Sequence, residues 1–220
     1  MSESYTLLIC NGEMPQTPVL RHLAVHAQSV VCADGGADAA HAAGIVPDTV
    51  IGDFDSISRQ TRRAMADDGV EMMHLQRQDD TDFEKALKLL AERSIRFVVI
   101  LGLTGKLLDH TLGNFSILLR YVEDMRIVMF DGDYRMDILT EGGVFRSMPG
   151  DRVSVVPLRS ATEVRYARLR YPLESAELTF GKLEGTCNEA MGESFEIRFA
   201  QGVLLLFRTL HPELFSDLRP

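Results

Sequence analysis

Tryptophan is absent from these 220 residues, and cysteine occurs only three times, as Cys10, Cys32 and Cys187. An odd number of cysteines with no CxxC spacing argues against a disulfide framework or a cysteine-based zinc site. Cys10 and Cys32 sit inside apolar stretches and are expected as reduced core residues. No apolar run approaches the ~20 residues a membrane span requires. The start, MSESYTLLICNGE, has neither a basic region nor an apolar stretch long enough for a signal peptide. Cationic charge is also scarce: Lys and Arg number 23 against 32 Asp and Glu, for a net charge of −9. No run of Lys and Arg with interleaved aromatics offsets this, so the chain as a whole repels nucleic acid. The expectation is a cytoplasmic protein that engages neither nucleic acid nor membrane. A small anionic ligand stays open, because a metal ion, a helix N-terminus or a few cations reverse the local sign. Two familiar catalytic signatures are missing as well, the GxxxxGK(S/T) P-loop and the GxSxG elbow.

What is present changes character near residue 135. Before it, strand-like runs alternate with helical patterns. YTLLIC (5–10), SVVCA (29–33), DTVIG (48–52), MMHL (72–75), RFVVILG (96–102) and RIVMF (126–130) read as strands. TPVLRHLAVHAQ (17–28) reads as a helix with Thr17 as N-cap and Pro18 at the first helical position. A short Ala-rich helix ended by Gly44, SISRQTRRAMADDG, and helices from Asp82 and about Asp109 follow. Such alternation implies a parallel sheet covered on both faces. Beyond about residue 136, MDILT, VFRSM, DRVSVVPL, EVRYARLRY, AELTF, SFEIRF and GVLLLF are short, β-rich and separated by turn residues, as in a small antiparallel sandwich or barrel. The expected fold is α/β, with an N-terminal Rossmann-like domain over residues 1–135 and a small C-terminal all-β sandwich domain over residues 136–220.

Ligands of an open parallel sheet bind beyond the carboxyl ends of its strands, and four strand-to-helix junctions stand out there. ADGGAD (33–38) alone reads as an ordinary βα turn, although its glycines also allow backbone N–H groups to approach a phosphate. GDFDS (52–56) carries two carboxylates. In an extended segment residues i and i+2 point the same way, so Asp53 and Asp55 would face each other. At ~5 Å and an effective dielectric near 20 that costs roughly 3 kcal/mol. Either the two side chains splay into water or something positive sits between them. In QDDTDFEKAL (78–87), Thr81 and Glu84 form a capping box, and Phe83, Ala86, Leu87 and Leu90 make the apolar face. Capping and the helix dipole explain Thr81, Glu84 and one acid. They leave Asp79, Asp80 and Asp82 together unexplained, and this excess points to bound Mg²⁺. GLTGKLLDHTLGN (102–114) places Lys106 on a Gly-containing loop, where a cation can neutralise phosphate charge. His110 by itself reads as a structural or capping residue. From the residues alone, the chemistry reaches a Mg²⁺–nucleotide or phosphorylated-sugar site.

In this order, DGGAD, PDTVIGDFDS, QDDTDFEKAL and GLTGKLLDHTLGN closely resemble the thiamine pyrophosphokinase (thiamine diphosphokinase) family. The tail containing RYPLESAELTFGKLEGTCNEA is similar to that family's C-terminal domain, so the resemblance spans nearly the whole chain. It implies an enzyme that transfers the pyrophosphoryl group of ATP to the hydroxyethyl oxygen of thiamine with Mg²⁺, releasing AMP. It also implies a homodimer whose active site forms where one chain's α/β domain meets the other's β domain. On these residues, Asp53, Asp55 and Asp79 would hold Mg²⁺, and with Asp82 and Lys106 they would form the catalytic set. Asn11, Gly12, Asp34, Gly35, Gly36, Ser56, Thr81, Lys85, Gly105, Asp109, His110 and Asn114 would bind ATP. Cys187 and Asn188 would bind thiamine. Two positions depart from the family pattern. GKLLDH (105–110) stands where GGRxDH is usual, so Leu107 replaces an arginine, and the nearby Lys106 offers charge without arginine's bidentate fork. Cys187 stands where a serine commonly precedes the asparagine, and a thiol is a weaker donor. Without tryptophan, any ring stacking on thiamine must use Phe or Tyr. Two other readings stay open: a nucleotide- or thiamine-binding protein without turnover, and a different Mg²⁺-dependent transferase such as a sugar-nucleotide enzyme.

Overall fold

The computed structural model describes residues 4–75, 80–211, 215 and 218. The chain forms two compact units divided between Gly132 and Asp133. Among the described residues, no helix is long and apolar enough to cross a membrane.

Among its described residues the first unit holds six strands: β1 (Thr6–Ile9), β2 (Ser29–Ala33), β3 (Thr49–Gly52), β4 (Glu71–His74), β5 (Phe97–Leu101) and β6 (Arg126–Asp131). They pair in parallel in the order β4-β3-β2-β1-β5-β6. TLLI of β1 and FVVIL of β5 are buried at every position, the pattern of central strands covered on both sides. EMMH of β4, at the edge, is partly exposed. The chain builds outward from β1 to β4 and then crosses to the other side of β1 as β5. A crevice therefore opens at the carboxyl ends of β1 and β5.

Five helices connect these strands: α1 (Thr17–His26), α2 (Gly36–Ala42), α3 (Arg59–Asp67), α4 (Asp82–Glu92) and α5 (Leu108–Leu118). The N-cap of α1 is Gln16 rather than Thr17, which places Pro18 second in the helix, where its missing N–H costs nothing. Ser58 caps α3 by accepting the Thr61 N–H. Thr81 caps α4 by accepting the Glu84 N–H at 3.2 Å. The reciprocal half of the expected capping box is not made. The carboxylate of Glu84 is buried and goes instead to Arg120, just past α5, and to Lys88 at 3.4 Å. A buried acid needs cationic partners more than a helix end needs a second cap.

The second unit contains β7 (Tyr134–Leu139), β8 (Gly143–Arg146), β9 (Arg152–Ala167), β10 (Leu173–Leu178), β11 (Gly185–Glu189), β12 (Ser194–Arg198) and β13 (Gln201–Thr209). Every pairing among them is antiparallel. The sequence suggested separate strands at DRVSVVPL and EVRYARLRY, but both belong to the 16-residue β9, which pairs with four neighbours. Pro157 is tolerated beside a register shift against β13, where the ladder is already interrupted. GTCNE, now β11, lacked the apolar alternation that marks a strand. Val153, Val155, Val164, Phe195, Ile197, Leu204 and Leu206 form the core.

That core also holds a charged group. Arg135 and Asp137 on β7 and Arg208 on β13 are all buried, and Asp137 accepts from each guanidinium at 2.7 Å. Burial works to raise the Asp137 carboxyl, but the two arginines outweigh it and hold it at about 2.

Candidate active site

The junctions after β1, β2, β3 and β5 and the start of α4 converge on a cavity of about 510 Å³ in the first unit. Asp34, directly after β2, adopts left-handed backbone (φ 40°) and is 2% exposed. Its Oδ2 accepts the Ser56 N–H at 3.0 Å, whereas its buried Oδ1 has no partner. Burial pushes the carboxyl up to about 6, the Ser56 bond opposes this, and Asp82 and Asp55 add to the rise. One oxygen each from Asp34, Asp53 and Asp82 lie within 4.8 Å of one another. Lys85 is 4% exposed, with Nζ 2.8 Å from Asp82 Oδ1 and 3.9 Å from Asp53 Oδ2. Asp53 and Asp82 thus share one ammonium, and a buried oxygen of the third carboxylate, Asp34, is left unsatisfied. Such an oxygen is costly unless a partner arrives, and an all-oxygen, carboxylate-rich set suits a hard divalent cation.

Glycine makes this approach sterically feasible. A Cβ on Gly52 would lie 2.9 Å from Asp34 Cβ and 3.2 Å from Asp82 Oδ1. Gly35 and Gly36 do not adopt positive φ. A Cβ on Gly36 would strike the Ile9 carbonyl, and one on Gly35 the Asn11 side chain, so they let α2 seat tightly on the end of β1.

The extended GDFDS arrangement is not formed. β3 ends at Gly52, and Phe54 has φ 64°, which turns the chain between the two aspartates. A left-handed non-glycine residue costs roughly 1–2 kcal/mol. The turn lets the Asp55 N–H donate to Asp53 Oδ1 at 3.2 Å. Asp53 joins Asp34 and Asp82, while exposed Asp55 accepts from the Ser56 hydroxyl at 2.9 Å.

On the β5 side, Gly12 N–H donates to the Gly102 carbonyl at 2.8 Å and joins the loops after β1 and β5. Gly105 and Lys106 both take positive φ, and Lys106 Nζ donates to Asn11 Oδ1 at 2.6 Å. Asn114 Nδ2 holds the same loop through the Leu103 carbonyl at 2.8 Å. Asn11, Gly12, Asp34, Asp53, Ser56, Thr81, Asp82, Lys85, Gly105, Lys106, His110 and Asn114 all line the cavity, as does Leu107. Asp55, Gly35, Gly36 and Asp109 are not among the lining residues. Asp109 accepts the N–H of its neighbour His110 at 2.9 Å. Asp79 lies outside the described residues, and Asp80 is bound by Lys88 at 2.7 Å.

In the second unit, exposed Cys187 (φ 60°) accepts from Arg152 Nη2 at 3.1 Å through Sγ. Asn188 is buried. Its Oδ1 accepts the Tyr171 N–H at 3.0 Å and its Nδ2 donates to the Tyr171 carbonyl at 2.7 Å, so its amide ties residue 171 to β11. Sequence reasoning missed the Glu84–Arg120 pair and the membership of Asp34 in the acidic cluster. Both carried a signal: charge at an inward helix position, and an acid set among SVVCA and GGA.

The chain is similar to known proteins. The family model for "Thiamin pyrophosphokinase, catalytic domain" matches residues 20–129, and that for its "vitamin B1 binding domain" matches residues 143–204. The thiamine pyrophosphokinase of Bacillus subtilis is 28% identical over 173 residues, covering 76% of this chain and 80% of the relative. The crystal structure of thiamine pyrophosphokinase from Bacillus subtilis superposes with a TM-score of 0.80 at 24% identity, covering 93% of this chain and 98% of that one. Thiamin pyrophosphokinase from Candida albicans gives a TM-score of 0.84 at 16% identity over 94% of this chain and 90% of its own.

Proposed function

The chain belongs to the thiamine pyrophosphokinase family, and from that premise we propose how its residues divide the work. The activity is that of a thiamine diphosphokinase: the pyrophosphoryl group of ATP passes to the hydroxyethyl oxygen of thiamine, giving thiamine diphosphate and AMP. A non-catalytic binder or another nucleotide-using transferase is not favoured. The observation that carries the division of roles is the acidic cluster at the strand ends, with the buried Asp34 Oδ1 unpartnered and the buried Lys85 against Asp82.

Mg²⁺ is the ion proposed for this cluster, because the unsatisfied oxygen and the three convergent carboxylates fit a hard divalent cation. Asp34, Asp53 and Asp82 would hold it, with Asp55 and Asp79 contributing directly or through water. When bound, such an ion neutralises charge on the phosphates. The remaining work falls to the chain. Lys85, held by Asp82, and Lys106, held by Asn11, both line the cavity and would present positive charge to the triphosphate. Gly12 and Gly105 keep the intervening loops close, and Thr81, His110 and Asn114 line the rest of the nucleotide site. The thiamine oxygen attacks the β-phosphorus in line, the new O–P bond forms as the bond to the α-phosphate oxygen breaks, and AMP departs. Alignment and charge neutralisation supply most of the rate.

The same proposal takes residues 1–135 as a Rossmann-like ATP and Mg²⁺ domain and residues 136–220 as a sandwich that binds thiamine and dimerises, in a cytoplasmic setting. The match of the vitamin B1 binding model to residues 143–204 supports the division. Buried free Cys10 and Cys32 are consistent with reducing surroundings. The active site is proposed to form between one chain's α/β domain and its partner's β domain in a homodimer. AMP formed from ATP and Mg²⁺, with and without thiamine, tests the activity, and sedimentation tests the dimer. AMP that appears only with thiamine is expected. Binding of both substrates without AMP, or UMP released from a sugar nucleotide, would contradict it.

A further inference from the structure

The turn between Asp53 and Asp55 rests on a residue that is neither charged nor small. Phe54 takes φ 64°, a conformation that a bulky side chain avoids unless its surroundings impose it. Those surroundings are specific. The Phe54 ring is 8% exposed and stacks on the His74 ring at the end of β4, with centroids 5.3 Å apart and planes 18° apart. On α3, the Arg62 guanidinium carbon lies 5.1 Å from the same ring's centroid. Neighbouring elements of the first unit thus grip the one ring that stands between the two aspartates. The chain leaves this turn with the Asp55 N–H on Asp53 Oδ1 and the Ser56 N–H on Asp34 Oδ2. Each bond fixes a carboxylate of the acidic cluster.

We infer that Phe54 is a positioning residue for the acidic cluster, and that His74 and Arg62 hold its ring so that the left-handed turn keeps Asp53 beside Asp34 and Asp82. Fixing the ring fixes a backbone that would otherwise relax to negative φ and carry Asp53 out of the cluster. His74 and Arg62 are both exposed, so each can be changed with little disturbance to the core. The inference rests on the reading of the cluster as a cation site. Its test therefore reads cation binding apart from turnover.

Mn²⁺ binding to the full chain is followed by electron paramagnetic resonance, alongside kcat, KM for ATP and the Mg²⁺ dependence of thiamine-dependent AMP formation. His74→Ala and Arg62→Gln each remove one side of the grip and are expected to weaken Mn²⁺ binding about 2- to 5-fold. His74→Phe restores the stack and should restore the affinity. Phe54→Gly accommodates the positive φ but lacks the ring. It should lose roughly 10- to 100-fold in kcat and bind Mn²⁺ more weakly than either single-sided variant. Wild-type affinity in Phe54→Gly would overturn the inference, as would failure of His74→Phe to recover what His74→Ala loses, or a wild-type chain that binds no Mn²⁺. A wild type that binds Mn²⁺ but makes no AMP overturns the kinase reading alone, and the positioning role is then decided by the Mn²⁺ affinities.

Discussion

Two buried aspartates, one in each unit, are treated in opposite ways. Asp137 in the β unit has two arginines on its oxygens and is held at about 2, whereas Asp34 in the α/β unit has one backbone N–H and an empty second oxygen and is pushed up to about 6. Both are more than nine-tenths buried. The difference lies in what the fold supplies. Around Asp137 the chain provides its own counter-charge and completes a scaffold. Around Asp34 it provides more acid, in Asp82 and Asp53, and a lysine already engaged by Asp82. A carboxylate left short of cations at the ligand edge of a sheet marks a site, and one fully matched inside a β core marks structure.

The contrast can be broken most severely at Asp53, the exposed acid beside Asp34. Asp53→Ala should lower thiamine-dependent AMP formation on the order of 10³-fold and leave the melting temperature near that of the wild type, because Asp53 is exposed. Asp137→Asn should do the reverse. Arg135 and Arg208 then lose their buried partner, and urea unfolding should show a loss of about 3–5 kcal/mol. Little loss would mean that the arginines find other acceptors.

The strands were legible because β1 and β5 are continuous apolar runs, and the start of α4 because Thr81 is a recognisable cap. The gathering of acids at one edge was legible from topology alone. Asp53 and Asp82 were among the acids picked out, but the place of Asp34 beside them was not. Its setting between SVVCA and GGA was a local hint, but its approach to Asp82 depends on Gly52, where a Cβ would crowd both side chains, a tertiary effect. Phe54 at positive φ is equally silent, since a bulky residue in that conformation is the exception that sequence reasoning discounts. Continuous β9 was hidden by Pro157 and the polar Arg159-Ser160, which read as a break.

Smaller effects sharpen the comparison. The folded value of Asp137, about 2, lies below the ~3.9 of an unfolded aspartate. Its contribution, on the order of 2 kcal/mol, is therefore fully present above about pH 4 and lost as pH falls toward 2. Acid unfolding of the wild type should steepen in that window, and Asp137→Asn should flatten it. Leu107→Arg adds a bidentate donor at the cavity and should lower KM for ATP by no more than about 10-fold. No change in KM would mean that Lys106 already provides what the arginine would.

The most direct test substitutes the unmatched aspartate itself. Asp34→Asn removes a buried charge that the chain alone does not neutralise, while keeping the volume and the acceptor for the Ser56 N–H. The account predicts that thiamine-dependent AMP formation falls by roughly 10²-fold or more. It also predicts that the melting temperature without divalent cation stays level or rises. AMP formation at the wild-type rate, or a melting temperature lowered by several degrees, would contradict it and place Asp34 with Asp137 among the structural residues.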